Sequence, residues 1–436
     1  MSALAWMASA GAVYLARERR DLGHALEWVD RTITLDLRAA AAMHGTEFAV
    51  LSERRPDLAA RLRRSLGTPA LQHDRPEEPL GDVIREVRES GSGFDRFLLP
   101  RTAAEITAGL RTTTVILAAG PRDGVMLVAT PQGAMSAMPM SMSFDQIAEL
   151  VTMSLSPRGA QVWLSHERLR SLVLDRILPD LRSQAADGAE LLVVPVGVMN
   201  WLPIQPVAAR AGLTLELRPA LTSSTSESKR PGPPLVVHSH GRGRKLDAGL
   251  EESKRVAAML GVEPVTDPVD LAEVGDRLGS SSFVHFACHG IAGVADPDAS
   301  GLRLGPRDED RLTVRALAAT MIEKGAPRFV ALSACQTGRT ELAIPEQASS
   351  IGNVFIGHGA RCVLSTLWNV DDGIARDFGI EFVRRWMSGT TAGEAYDLTL
   401  RDLTTRLAHD LRAPSNLDAF QLVGDRHLVW PIGFPA

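Results

Sequence analysis

Three cysteines among 436 residues cannot make a disulfide framework, so the chain is expected in a reducing compartment, the cytoplasm. No apolar run is long enough to span a bilayer, and no membrane is expected. The apolar stretch at residues 3–16 has no basic residue before it and Arg17-Glu18-Arg19-Arg20 after it, an order that opposes a secretory signal. It reads as an amphipathic or buried first helix. The net charge of −5 leaves no global basic field to draw in nucleic acid. There is no Walker P-loop and no Gly-x-Ser-x-Gly elbow. His238-x-His240 and Cys288-His289 lack the spacing typical of zinc ligands, so neither metal nor cofactor is expected.

What is present suits a soluble α/β protein. Hydrophobic residues make up 45% and charged residues 23%, enough for one large or two to three ordinary domains. Residues 1–84 read as a helical region. A tetratricopeptide unit needs about 34 residues, so at most a pair of repeat-like hairpins fits there. Strand-like runs follow at 113–119, 125–130 and 134–140, the first two joined by the turn Pro121-Arg122-Asp123-Gly124. A helical pattern covers 144–183, and 191–195 reads as a buried strand. Residues 85–221 thus form a first α/β half. The Ser-, Gly- and Pro-rich stretch 222–234 reads as a linker. Residues 235–436 then alternate strand and helix, which implies right-handed βαβ units and a mostly parallel sheet.

Two apolar runs in this second half stop abruptly. One is Phe283-Val284-His285-Phe286-Ala287-Cys288-His289-Gly290, and the other is Phe329-Val330-Ala331-Leu332-Ser333-Ala334-Cys335-Gln336-Thr337-Gly338. Short apolar runs bounded by glycine read as buried strands. Reactive groups in open α/β sheets collect where parallel strands end. A histidine and a cysteine at two such ends can form a nucleophile–base pair.

With these blocks the chain resembles the CHAT-domain family, caspase-like cysteine peptidases related in fold to caspases and separases. The supporting motifs occur in order over roughly residues 90–436. They are Leu191-Leu192-Val193-Val194-Pro195 with Trp201-Leu202-Pro203, the helix at 251–260, His289-Gly290, and Ser333-Ala334-Cys335-Gln336-Thr337-Gly338. Ser365-Thr366-Leu367-Trp368-Asn369-Val370-Asp371-Asp372 and Phe420-Gln421-Leu422-Val423-Gly424-Asp425 complete the set. The family pattern departs at Cys288, at Gln336 and at Pro345-Glu346-Gln347, and the usual long upstream repeat array is missing.

The resemblance implies a caspase-like three-layer αβα catalytic half beside a catalytically empty pseudo-caspase half. It implies Cys335 as nucleophile and His289 as base, with the backbone N–H groups of Gly290 and Cys335 forming the oxyanion hole. Each reading has a plainer alternative. Cys335 can be a buried structural thiol, His289 a surface loop histidine, and Gly290 a turn residue. Asp371 or Asp372 can line the pocket for a basic P1 residue or cap a helix. Trp368 can wall that pocket or pack in the core. Glu346 can contact substrate or lie solvated in a loop. Cys362 reads as inert core. Cys288 could reach Cys335 in an inhibitory disulfide, and His285 reads as a packed, hydrogen-bonded histidine. The expected function is cleavage of a partner protein by a cysteine endopeptidase, in bacterial defence or signalling. A regulatory protein would activate a latent state. A peptide-binding scaffold without catalysis, or a thioesterase or amidase using the same dyad, are the alternatives.

Overall fold

The computed structural model describes residues 3–43, 46–67, 80–91, 93–154, 159–185, 188–221, 232–241, 246–291, 300–333 and 350–430. The chain begins with helices α1 (Ala3–Val13), α2 (Leu22–Ala42), α3 (Thr46–Arg54), α4 (Pro56–Gly67), α5 (Leu80–Glu89) and α6 (Ala103–Ala108). A capping box starts α6: the Thr102 hydroxyl accepts from the Glu105 amide, and the Glu105 carboxylate accepts from the Thr102 amide. Leu51, Leu58, Leu62, Val83 and Val87 of α3–α5 close with Phe94 and Phe97 into a small separate core.

Next come β1 (Thr114–Ala119), β2 (Gly124–Ala129) and β3 (Met135–Met140), an antiparallel meander. α7 (Phe144–Ser154), α8 (Gly159–Leu172), α9 (Leu178–Gln184), β4 (Leu191–Pro195), α10 (Ile204–Arg210) and β5 (Leu215–Leu217) complete the first half. The helical pattern expected over 144–183 is thus three helices, not one. Pro157 lies between α7 and α8, and the chain passes through a π turn at Val173–Ile177 just before Pro179 in the first turn of α9.

The second half runs β6 (Leu235–His238), α11 (Asp247–Leu260), α12 (Leu271–Leu278), β7 (Phe283–Ala287), β8 (His289–Ile291), β9 (Gly301–Arg303), β10 (Arg311–Thr313), α13 (Val314–Lys324) and β11 (Phe329–Leu332). It ends with α14 (Ser350–Gly357), β12 (Cys362–Thr366), α15 (Asp372–Met387), α16 (Ala392–Arg406), α17 (Ala413–Leu417) and β13 (Phe420–Gly424). The left-handed Gly261 closes α11 at φ +65°, and the Thr313 hydroxyl caps α13.

Both halves share one ten-stranded sheet in the order β3-β2-β1-β4-β5-β13-β12-β11-β7-β6. Six of its nine pairings are parallel. The strand direction reverses between β13 and β12. Side chains alternate between the two faces. Val284, Phe286, Val330 and Leu332 face α12, α13 and α14. Val236, Phe283, Phe329 and Ala331 face α11, α15 and α16, in a core that continues under the first half. On the opposite face of the first half, Ala8, Leu26 and Val29 of α1 and α2 cover Ile116, Val125 and Leu127. The result is the mostly parallel sheet that the alternation implied, within the three-layer α/β fold that the resemblance implied. Among the described residues no helix is long and apolar enough to cross a membrane.

Candidate active site

Four parallel strands, β12, β11, β7 and β6, end at one edge of the sheet. Register aligns their ends: Leu332 lies opposite Phe286, and His238 lies opposite Ala287. His289 is three residues beyond Phe286, and Cys335 is three residues beyond Leu332. The Ser333 amide still donates to the Phe286 carbonyl at 2.8 Å, so the two strands remain bonded up to the last described residue before Cys335. Cys335 and Glu346 themselves lie outside the described residues.

His289 opens β8, which with β9 and β10 forms a small antiparallel sheet at this edge. His289 pairs with Arg303 across it, and Gly290 pairs with Leu302. The histidine is 7% exposed, sunk into the strand edge rather than carried on a free loop. Gly241 packs against it. This glycine has φ +59°, and a Cβ there would sit 2.9 Å from Arg303 Cδ and 3.4 Å from His289 Cδ2. Only glycine supplies both the conformation and the space.

Beneath the strand ends lies a buried polar group that the sequence reading missed. Glu252 of α11 accepts from the Ser333 hydroxyl at 3.0 Å, and its other oxygen lies 3.2 Å from His285 Nε2. Both the glutamate and the histidine side chains are 1% exposed. The His285 contact has ion-pair distance without the alignment of a hydrogen bond. The pair ties α11 to β7 and β11, the strands that lead to His289 and Cys335. The strand position of His285 was legible, but its acidic partner came from a helix far away in sequence.

The remaining candidates spread out. Asp371 caps α15: its Oδ1 accepts from the Gly373 amide at 2.9 Å and the Ile374 amide at 3.3 Å. Asp372 is the first residue of α15. Trp368 is buried, stacked on His166 with ring centroids 4.1 Å apart, and its Nε1 donates to the Ser415 carbonyl at 2.9 Å. Burial lowers the His166 pKa to about 4. Cys288 and Cys362 are fully buried, and burial pushes both thiols well above their ordinary range. A buried His238 ends β6, donating Nδ1–H to the Ala287 carbonyl at 2.9 Å, and desolvation holds its pKa near 4.

The profile of the CHAT domain matches residues 163–425. Comparison with curated proteins finds no match. Among solved structures, separase from Saccharomyces cerevisiae in its complex with securin is similar with a TM-score of 0.58 at 9% identity, covering 97% of this chain and 36% of that one. A second crystal structure of the same complex gives 0.54 at 10% identity, covering 97% and 35%. The Porphyromonas gingivalis RgpB pro- and mature domains align with a TM-score of 0.37 at 12% identity, over 65% of this chain and 77% of that one. The chain spans about a third of the separase chain, and at this identity the likeness is one of fold. With the caspase-like sheet and the profile match over more than half its length, the chain belongs to the CHAT-domain family.

Proposed function

We propose that the protein is a cysteine endopeptidase that cleaves a partner protein through a Cys335–His289 dyad. The observation that carries this reading is the register of β7 and β11. Counted along the sequence, His289 and Cys335 each follow by three residues a paired couple, Phe286 and Leu332, of the adjacent parallel strands β7 and β11. Neighbouring strands run about 4.8 Å apart, so two groups leaving them at the same level can share a proton. In this mechanism the Cys335 thiolate attacks the peptide carbonyl carbon and His289 takes up the thiol proton. The amide N–H groups of Gly290 and Cys335 hold the oxyanion. The C–N bond breaks as His289 protonates the leaving amine. Water, deprotonated by His289, then hydrolyses the acyl-enzyme and restores the thiol. No step needs a metal or an organic cofactor.

The same reading includes a latent state opened by a protein partner. α2 touches α14, the helix that follows the Cys335 segment, and α4 touches α13 on the approach to β11. A partner docked on the N-terminal helices thus has a mechanical route to both flanks of the nucleophile. Glu346 and the two aspartates at the start of α15 remain the candidates for substrate contact, whereas Trp368 packs in the core against His166. A preference for basic P1 residues would fall to Asp372, or to the Asp371 oxygen that does not cap the helix.

The test is cleavage of proteins co-expressed with the chain and with its neighbouring gene products. Cys335→Ala and His289→Ala should each abolish cleavage without unfolding the protein. Unchanged cleavage by Cys335→Ala would end the peptidase reading. Binding of the same protein without any cut by the unmodified chain would favour the scaffold instead.

A further inference from the structure

We propose that His238, His240 and Asp267 form a binding site for a divalent cation of the zinc type, beside the candidate active site and distinct from it. A ring nitrogen of each histidine and a carboxylate oxygen of Asp267 all lie within 4.8 Å of one another. The two histidines come from the end of β6. Asp267 arrives from beyond α11, because Val265 pairs along β6: the His238 amide donates to the Val265 carbonyl and the Val265 amide to the Val236 carbonyl, both at 2.8 Å. Sequence spacing hides this third group, which is why the two histidines alone do not read as a metal motif.

His238 is 1% exposed. Its Nδ1–H is engaged by the Ala287 carbonyl, so the lone pair belongs to Nε2, and Nε2 has no hydrogen-bond partner among the described residues. A buried acceptor left unpaired costs free energy. A ring fixed through Nδ1–H to a carbonyl, with Nε2 open, is the usual arrangement of a metal-ligating histidine. Asp267 is oriented by second contacts as well. Its Oδ1 accepts from the Ser239 hydroxyl at 2.7 Å and its Oδ2 from the His240 amide at 2.8 Å, and each oxygen keeps a lone pair. Two imidazoles and one carboxylate with an open fourth position suit zinc and its first-row neighbours.

His240 makes the site conditional. Its Nδ1 accepts from the Leu246 amide at 3.0 Å, so in the neutral ring Nε2 carries the proton. A cation bound at Nε2 moves that one ring proton to Nδ1, and the new Nδ1–H then faces the Leu246 N–H. Two donors cannot pair, so occupancy releases Leu246, the residue that precedes α11. Gly241, next to His240, packs on His289. Cation binding therefore shifts the support of that histidine, a consequence that rests on the dyad reading, whereas binding itself does not.

The test uses the full chain carrying Cys335→Ala, stripped with chelator, so that the candidate nucleophile cannot serve as a ligand. Co²⁺ is titrated while its visible d–d bands are followed, and Zn²⁺ is added in competition. One equivalent should bind, with tetrahedral nitrogen and oxygen bands. His240→Ala and Asp267→Asn should each weaken it by at least about a hundredfold. His240→Gln decides the matter should His240→Ala fail to fold by circular dichroism. No binding, or binding unchanged by His240→Gln and Asp267→Asn, would overturn the site. So would loss of binding in His427→Ala alone, which would move the cation to the Glu190–Glu216–His427 cluster.

Discussion

Glu252 is a carboxylate sealed inside the protein, and its neighbours make that tolerable. It accepts from Ser333 and faces His285, its one charged partner among the described residues. Glu252→Ala would strip Ser333 of its acceptor and leave His285 buried alone. Removing one member of a buried pair typically costs about 3 kcal/mol or more. The expected outcome is a loss of about that size in urea unfolding, with Glu252→Gln losing less because its amide oxygen still accepts from Ser333. His166 gives a pH dependence. Its pKa is near 4 in the fold and about 6.5 when unfolded. Between those values the unfolded chain binds the extra proton, so the fold is unpenalised above pH 6.5 and loses stability as pH falls towards 4. The loss amounts to at most about 3 kcal/mol. His166→Gln should flatten the melting temperature over that window relative to the parent chain. Equal pH slopes for the two proteins would refute this. The strand-end positions of His285 and His289 were legible in the sequence because both lie in or just beyond a short, uninterrupted apolar run that stops at glycine. Glu252 and Asp267 were not, because their partners lie on other strands and no local pattern reports them.

The join between the two halves rests on few backbone bonds. β5 and β13 share a single register pair, Leu217 with Val423. The buried Gln205 side chain fills the gap. Its amide nitrogen donates to the Leu215 and Leu422 carbonyls at 3.3 and 3.1 Å, and its oxygen accepts from the Leu422 amide at 2.7 Å. Arg426 adds a bond to the Leu215 carbonyl at 2.7 Å. Gln205→Leu should cost about 3 kcal/mol, since it orphans buried backbone groups, and it should do so without changing the secondary structure seen by circular dichroism. A midpoint shift no larger than that of an exposed substitution would contradict this role. α11 and α15 pack closely where Gly379 faces Glu252, and a Cβ there would sit 2.0 Å from Glu252 Oε1. Gly379→Ala should therefore disturb the Glu252 contacts and destabilise by about 1–3 kcal/mol, read in the same unfolding assay. The inner strand β4 was visible in the sequence with its bounds, and β7 as the apolar run that ends at His289-Gly290, because continuous burial on both faces writes an uninterrupted apolar run. β5 and the β8–β10 sheet are three residues per strand, too short to show a period, and they exist through pairing with distant partners.

The molecule carries one continuous core across the join, and its first helices belong to the same structure. α1 and α2 cover the sheet face of the first half, so their removal would expose Ile116, Val125 and Leu127. α3 to α5 keep a core of their own, and they are the better place to look for a docking surface. Turnover of the natural substrate should rise when products of neighbouring genes are added, and substitutions on the outer face of α4 should blunt that rise. The central claim is that Cys335 and His289 act as a pair, and alkylation of Cys335 tests it without knowledge of the substrate. The rate is followed against pH by peptide mapping, for the full chain alone and with the neighbouring gene products. Cys288 and Cys362 serve as silent internal controls, since burial raises both thiols. Cys335 should react with an inflection below the ordinary thiol value of about 8.5, and His289→Ala should return it to that value. An ordinary thiol profile under both conditions, unmoved by His289→Ala, would contradict the claim.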